Sequence, residues 1–131
     1  MASKMSFPEN RLVTASGHLT IGETPDGYDA LVLADLVRAG EGVHLHISRD
    51  DARMSGLAEA LSFFAPDLEI LQFPAWDCLP YDRVSPQADI VARRMATLGR
   101  LAKNVSSGKP RIVLATINGA MQRVPPRELL E

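Results

Sequence analysis

Apolar and polar positions alternate along this chain in blocks that change period. Residues 29–39 are apolar nearly all round, with Ala30, Leu31, Val32, Leu33, Ala34, Leu36 and Val37. That pattern predicts a helix buried on more than one side, with Gly40 as its stop. Residues 43–47, Val-His-Leu-His-Ile, alternate strictly and predict a strand. Met54, Leu57, Ala58, Leu61 and Phe64 recur at helical spacing; Ser48 or Asp50 is placed to cap that helix and Pro66 to end it. Residues 68–73 and 111–117 read as strands, the second continuously apolar as in the middle of a parallel sheet. Between them Val91, Met95, Leu98 and Ala102 form one stripe, and Ser85-Pro86 supplies an N-cap followed by proline at the first helical position. Residues 18–21 are a short strand candidate, residues 124–131 suggest the start of another helix, and residues 1–17 show no clear period and suggest a loose arm.

The predicted order is β-α-β-α-β-α-β-α. It implies an α/β fold with right-handed crossovers and a parallel sheet covered by helices on both faces. The domain is expected over residues 18–131. The chain stops inside the apolar pattern Leu129-Leu130-Glu131, which suggests a piece of something larger.

Composition narrows the function without naming it. With 131 residues, 46% of them hydrophobic, the chain can bury a core without disulfides or metals. A formal net charge of -2 gives no global basic field for nucleic acid. Cys78 is the only cysteine, so neither an intramolecular disulfide nor a cysteine zinc cluster can form; buried packing is its default role. His44 and His46 share one strand face and His18 is the only other histidine, too few partners for a metal centre. No run is long and apolar enough for a membrane span and no signal core opens the chain, so a cytoplasmic protein is expected.

The stretch TIGETPDGYDALVLADL carries the first chemical question. Gly22, Glu23, Thr24, Pro25, Asp26, Gly27, Tyr28 and Asp29 have the spacing of a phosphate-binding loop, G-x-x-x-x-G-K-[ST]. Such a loop needs a lysine for the phosphates and a hydroxyl for magnesium. Tyr28 and Asp29 occupy those two places, and Pro25 removes one amide donor. Three acids stand in the loop with no base. A phosphate about 4 Å from one of those carboxylates meets roughly 4 kcal/mol of repulsion per pair of unit charges at an effective dielectric of 20. A carboxylate is itself well placed at a helix N-terminus, so Asp26 or Asp29 is expected to satisfy the amides a phosphate would otherwise take. A plain Pro-Asp-Gly turn without nucleotide ancestry explains the same residues.

The second signal is FPAWDCLPYDRVSPQADIVARRMATLGRLAK, residues 73–103. It gathers the only tryptophan, Trp76, with Leu79, Pro80, Tyr81 and the acids Asp77 and Asp82, at the carboxyl end of a strand, where open α/β sheets place their functional loops. Packing outweighs base stacking as the role of its aromatics, and Asp77 and Asp82 suit turns. Ser85, Pro86 and Asp89 open the next helix. Arg93 and Arg100, with Arg94 and Lys103 beside them, read as a solvated face, the competing role being contact with DNA phosphates or another domain.

The Phe-Pro-x-Trp-Asp-x-Leu-Pro-Tyr-Asp run, the Ser-Pro and Asp-Ile that follow, the stretch ATINGAMQRVPPRELL and the altered loop PDGYDALVLADL together resemble the N-terminal region of bacterial transcription-repair coupling factors. The resemblance implies a RecA-like domain from a module similar to UvrB, with a degenerate phosphate loop and no catalysis or cofactor of its own. It further implies a parent translocase that uses ATP and magnesium in motor domains absent here, and that meets RNA polymerase, double-stranded DNA and UvrA. This piece would then support the UvrA-recruiting module and pack against other domains of the same chain. The rival is a small α/β protein binding a nucleotide through a modified loop.

Overall fold

The computed structural model describes residues 17–18, 20–78, 81, 83, 85–103 and 108–130. The first helix, α1, spans Tyr28–Ala39, followed by strand β1, Val43–Ser48, and helix α2, Asp51–Phe64. Strand β2, Glu69–Phe73, precedes helix α3, Ala88–Ala102. Strand β3, Arg111–Thr116, runs directly into a short helix α4, Ile117–Met121, and a single 3-10 turn covers Arg127–Leu129.

β3 is buried at every position and lies between β1 and β2, parallel to both. Its uninterrupted apolar run is what a central parallel strand requires. On one face Ile112 and Leu114 pack with Ala30, Ala34 and Val37 of α1 and with Met54, Leu57, Ala58 and Leu61 of α2. On the other, Val113 and Ala115 join Leu71 and Phe73, and Leu98 and Leu101 of α3 cover them. The protein is therefore an α/β domain with helices on both faces of a parallel sheet, consistent with a RecA-like or P-loop-type fold.

Local chemistry explains most element ends. Asp50 caps α2, its Oδ1 accepting from the Arg53 amide at 2.8 Å. Thr116 caps α4 in the same way through the Gly119 amide at 3.1 Å. The Ala102 carbonyl at the end of α3 accepts from Arg127 Nη2 at 2.6 Å.

Several expectations need correction. His18, Thr20 and Ile21 lie in no strand, and among the described residues the sheet has three strands rather than four. So short a segment gains nothing from extended geometry unless a neighbouring strand pairs with it. Residues 1–16 and Leu19 lie outside the described residues. α1 is buried along a single stripe; Leu31 is 42% exposed, because nothing described packs on that side. α3 starts at Ala88 with Gln87 as its cap, two residues later than Ser85-Pro86 predicts. Met95 turns outward while Arg94 and Thr97 turn inward, which rotates the buried stripe by one position. Phe64 is exposed and stacks edge-on against Phe63 instead of entering the core. The helix expected over residues 124–131 amounts to the one 3-10 turn.

Gly119 marks a tight approach to main chain. A Cβ there would stand 2.9 Å from the Phe73 carbonyl oxygen and 3.1 Å from Thr116 Oγ1. Because the first of these is main chain, it cannot swing aside. Gly119→Ala is expected to lower unfolding free energy by about 1–3 kcal/mol, the usual cost of overpacking. Urea denaturation checks this; an unchanged midpoint would show that α4 is not seated against β2.

Candidate functional site

The two segments singled out by sequence occupy different places at the carboxyl edge of the sheet. The first precedes α1. Residues 20–26 are exposed, and Gly27 takes the left-handed conformation, φ 82°, that lets the chain turn into the helix. Glu23, with φ 55°, shares that region without a glycine's freedom. The Tyr28 amide donates to the Pro25 carbonyl at 3.1 Å. Asp29 Oδ1 accepts from the Ala30 amide at 3.0 Å, and its Oδ2 lies 3.5 Å from Arg53 Nη2. So one helix-start amide is taken by the chain's own carboxylate, and the nearest cation faces that carboxylate. Asp26 makes no side-chain hydrogen bond among the described residues.

Beside this loop a cavity of about 430 Å³ opens between the ends of β1, α1 and α2, bordered by Asp29, His46, Ser48, Arg49, Arg53 and Leu57. Burial pushes the His46 imidazole below its usual value; the Asp29 charge opposes the shift and Arg53 adds to it. Arg49 and Arg53 are each engaged, by Asp50 at 3.0 Å and by Asp29. Ser48 Oγ is buried without a partner. His44 and His46 share the face toward α1 and α2, and no group of three or more His, Cys, Asp or Glu among the described residues is arranged to hold a metal.

The second segment is organised by Arg94. Its side chain is 1% exposed, and its guanidinium carbon lies 4.0 Å from the centre of the Phe73 ring and 4.4 Å from that of Trp76. Nη1 donates to the Pro74 carbonyl at 2.7 Å and to Gln122 Oε1 at 3.3 Å. Gln122 Oε1 also accepts from the Trp76 amide at 2.8 Å. Burial pushes this guanidinium below its usual value, yet arginine stays protonated across the physiological range. Among the described residues no carboxylate pairs with it. A desolvated cation over an aromatic face is stabilised by about 2 kcal/mol or more, and a charged donor to a carbonyl by about 1.5–3 kcal/mol. Two rings and two carbonyls together offset a desolvation penalty of several kcal/mol.

This corrects the reading of Arg94 as part of a solvated face. Arg93 does sit at the surface, paired with Asp89 and reaching Gln72 Oε1 at 3.3 Å. Arg100 pairs with Glu69, whose other oxygen receives Arg111 Nε at 2.7 Å, so it closes a largely buried charge cluster at the opposite edge of the sheet. Asp77 holds the start of α3 from ten residues away, both its oxygens 3.3 Å from the Gln87 amide. That non-local cap replaces the expected Ser85, which is exposed, while Pro86 stays outside the helix. Tyr81 is 97% exposed and does not pack. Leu79, Pro80 and Asp82 lie outside the described residues. The structure thus brings together Trp76, Arg94 and the unanticipated Phe73 and Gln122, and leaves the loop of residues 22–29 apart from them. A charged residue in strand register with Leu71 and Phe73 was the available signal for Glu69; Gln122 carried none.

Comparison with known proteins now bears on both segments. The chain is 29% identical to the transcription-repair-coupling factor of Haemophilus influenzae over 114 residues, 87% of its length. It is 29% identical to that of Escherichia coli over 118 residues, 90% of its length. It resembles transcription-repair-coupling factors. The factor of Rickettsia prowazekii gives 31% identity over 84 residues, 64% of the chain. No protein-family model matches. The chain spans about a tenth of the length of the Haemophilus and Escherichia factors. The likeness to these factors extends over as much as nine-tenths of the chain.

Trp76 is the only tryptophan, so its emission reports this cluster alone. Arg94→Ala is expected to cost about 3 kcal/mol, the range for breaking a buried network, and to red-shift Trp76 emission. Arg94→Lys should recover little, since a point charge cannot stack between two rings and reach two carbonyls. Denaturation followed by fluorescence checks both; a fully stable Arg94→Lys with native emission would contradict the arrangement.

Proposed function

We propose that this chain is a non-catalytic, structural module of a transcription-repair coupling factor, supporting the part of that protein that recruits UvrA. The parent would displace stalled RNA polymerase from DNA through ATP- and magnesium-dependent motor domains beyond this region. The observation that carries the reading is the likeness to coupling factors across nine-tenths of the chain, joined to a phosphate-loop spacing stripped of its chemistry. Asp29 takes a helix-start amide and engages Arg53, so negative charge already occupies the place a phosphate would need. The Trp76 cluster supports a scaffolding role in a second way, since its one cation is spent on packing within the domain. UvrA, polymerase and DNA are partners of the parent in this account, and other domains of the same polypeptide are the partners of this module.

One observation favours the nucleotide-binding rival. The glycine spacing is kept, Gly27 turns left-handed, and a cavity stands beside it. Calorimetric titration with Mg-ATP separates the two. Silence at about 1 mM nucleotide, the affinity of a contact giving only about 4 kcal/mol, is the expected result. The double substitution Tyr28→Lys with Asp29→Thr should recover weak affinity at most, because Pro25 still withholds a donor. Saturable micromolar binding by the unaltered chain, lost in Gly27→Trp, would overturn the proposal.

A further inference from the structure

The close seat of Gly119 carries a chemical consequence as well as a steric one. The residue before it is Asn118, so α4 contains an Asn-Gly pair. Asparagine is thermolabile: its side-chain amide is lost when the next backbone nitrogen attacks it, and glycine, without a side chain, obstructs that attack least. Asn10 and Asn104, the other asparagines, precede Arg11 and Val105, whose side chains hinder it. Yet glycine is demanded at 119, because a Cβ there would stand 2.9 Å from the Phe73 carbonyl oxygen and 3.3 Å from the Ala75 amide nitrogen. Asn118 is exposed to water, whereas Gly119 is buried. The Gly119 amide donates to Thr116 Oγ1 at 3.1 Å, so the nitrogen that would attack is already engaged. Ring closure also requires Asn118 to leave helical geometry.

We propose that Asn118 is a modification site, deamidated through a cyclic imide, and that the Thr116 hydroxyl is the latch that delays this in the folded chain. The Gly119 nitrogen gives its proton to solvent base and bonds to Asn118 Cγ. The Cγ–Nδ2 bond breaks, and the leaving amino group takes a proton from water to depart as ammonia. A second water then opens the imide. Attack at Cγ restores the normal main chain with aspartate at 118. Attack at the main-chain carbon leaves the chain running through the side chain, as isoaspartate. Isoaspartate adds a methylene to the main chain between Thr116, at the end of the central strand, and Gly119, pressed against Phe73. The extra length is passed on toward Gln122, whose Oε1 accepts from the Trp76 amide and from Arg94. Modification therefore loosens the Trp76 cluster.

Incubation of the 131-residue chain at mildly alkaline pH, followed by peptide mass spectrometry, tests this. Fragmentation assigns isoaspartate to position 118, since Asp26-Gly27 can isomerise by the same route. The folded chain should deamidate at Asn118 about tenfold or more slowly than the chain in urea, because the latch must open first. Thr116→Val, checked for folding by circular dichroism, should speed the reaction about fivefold, the change in local opening that losing an ordinary N-cap gives. Thr116→Ser keeps the hydroxyl and should stay close to the parent rate. Isoaspartate at 118 should red-shift Trp76 emission. Equal rates in the folded and unfolded chain would overturn the proposal. So would a folded Thr116→Val no faster than Thr116→Ser, or isoaspartate at 118 with native Trp76 emission.

Discussion

A single buried cation sets the arrangement of the carboxyl edge of this domain. Arg94 projects from α3 into the angle between β2, the loop of residues 74–78 and the end of α4. Each contact constrains a different segment. The Phe73 ring belongs to the core, the Pro74 carbonyl starts the loop, the Trp76 ring closes over the guanidinium, and Gln122 links it to the Trp76 amide. A hydrocarbon could fill the same volume but could not bind two carbonyls. A lysine could donate to the carbonyls but could not stack between two rings. The guanidinium's Nε is buried without a partner, so the two rings and the two carbonyls on Nη1 carry its stabilisation, and losing any of them would be costly. The tight seat of Gly119 under Phe73 belongs to the same construction.

The loop before α1 shows the converse economy of charge. A nucleotide site at that place needs cations in excess. Here the nearby arginines are balanced by Asp29 and Asp50, and a carboxylate already accepts from a helix-start amide. The two edges of the site therefore argue in one direction: positive charge near the carboxyl edge is consumed internally, by rings and carbonyls at Trp76 and by carboxylates at Gly27. Under the proposed function, a domain built this way would contribute shape and surface rather than a charged ligand site.

Much of this was legible in the residues. The apolar run at Arg111–Thr116 located the central parallel strand, because burial on both faces writes itself into composition; the alternation at Val43–Ser48 located another, although there the aliphatics form the exposed face. Asp50 announced its helix because a cap is local. What stayed hidden depends on partners distant in sequence. Arg94 looks like any surface arginine until Phe73 and Trp76 are placed around it. The cap from Asp77 to Gln87 spans a loop that no local rule reads. The strand expected near His18 failed because a strand exists only with a neighbour. α4 was missed because five residues are too few for a visible period, although Thr116 and Gly119 supply its cap. The absence of a phosphate loop's lysine and hydroxyl, by contrast, was written in two residues, Tyr28 and Asp29.

The claim that the Trp76 loop is held by Arg94 as one coupled unit is tested most directly by a double-mutant cycle. Unfolding free energies of the parent chain, Arg94→Met, Trp76→Leu and the double variant supply it. Mutual dependence predicts a coupling of about 1 kcal/mol or more, the second substitution costing far less once the first is made. Costs that add to within about 0.3–0.5 kcal/mol, the range for independent sites, would contradict it.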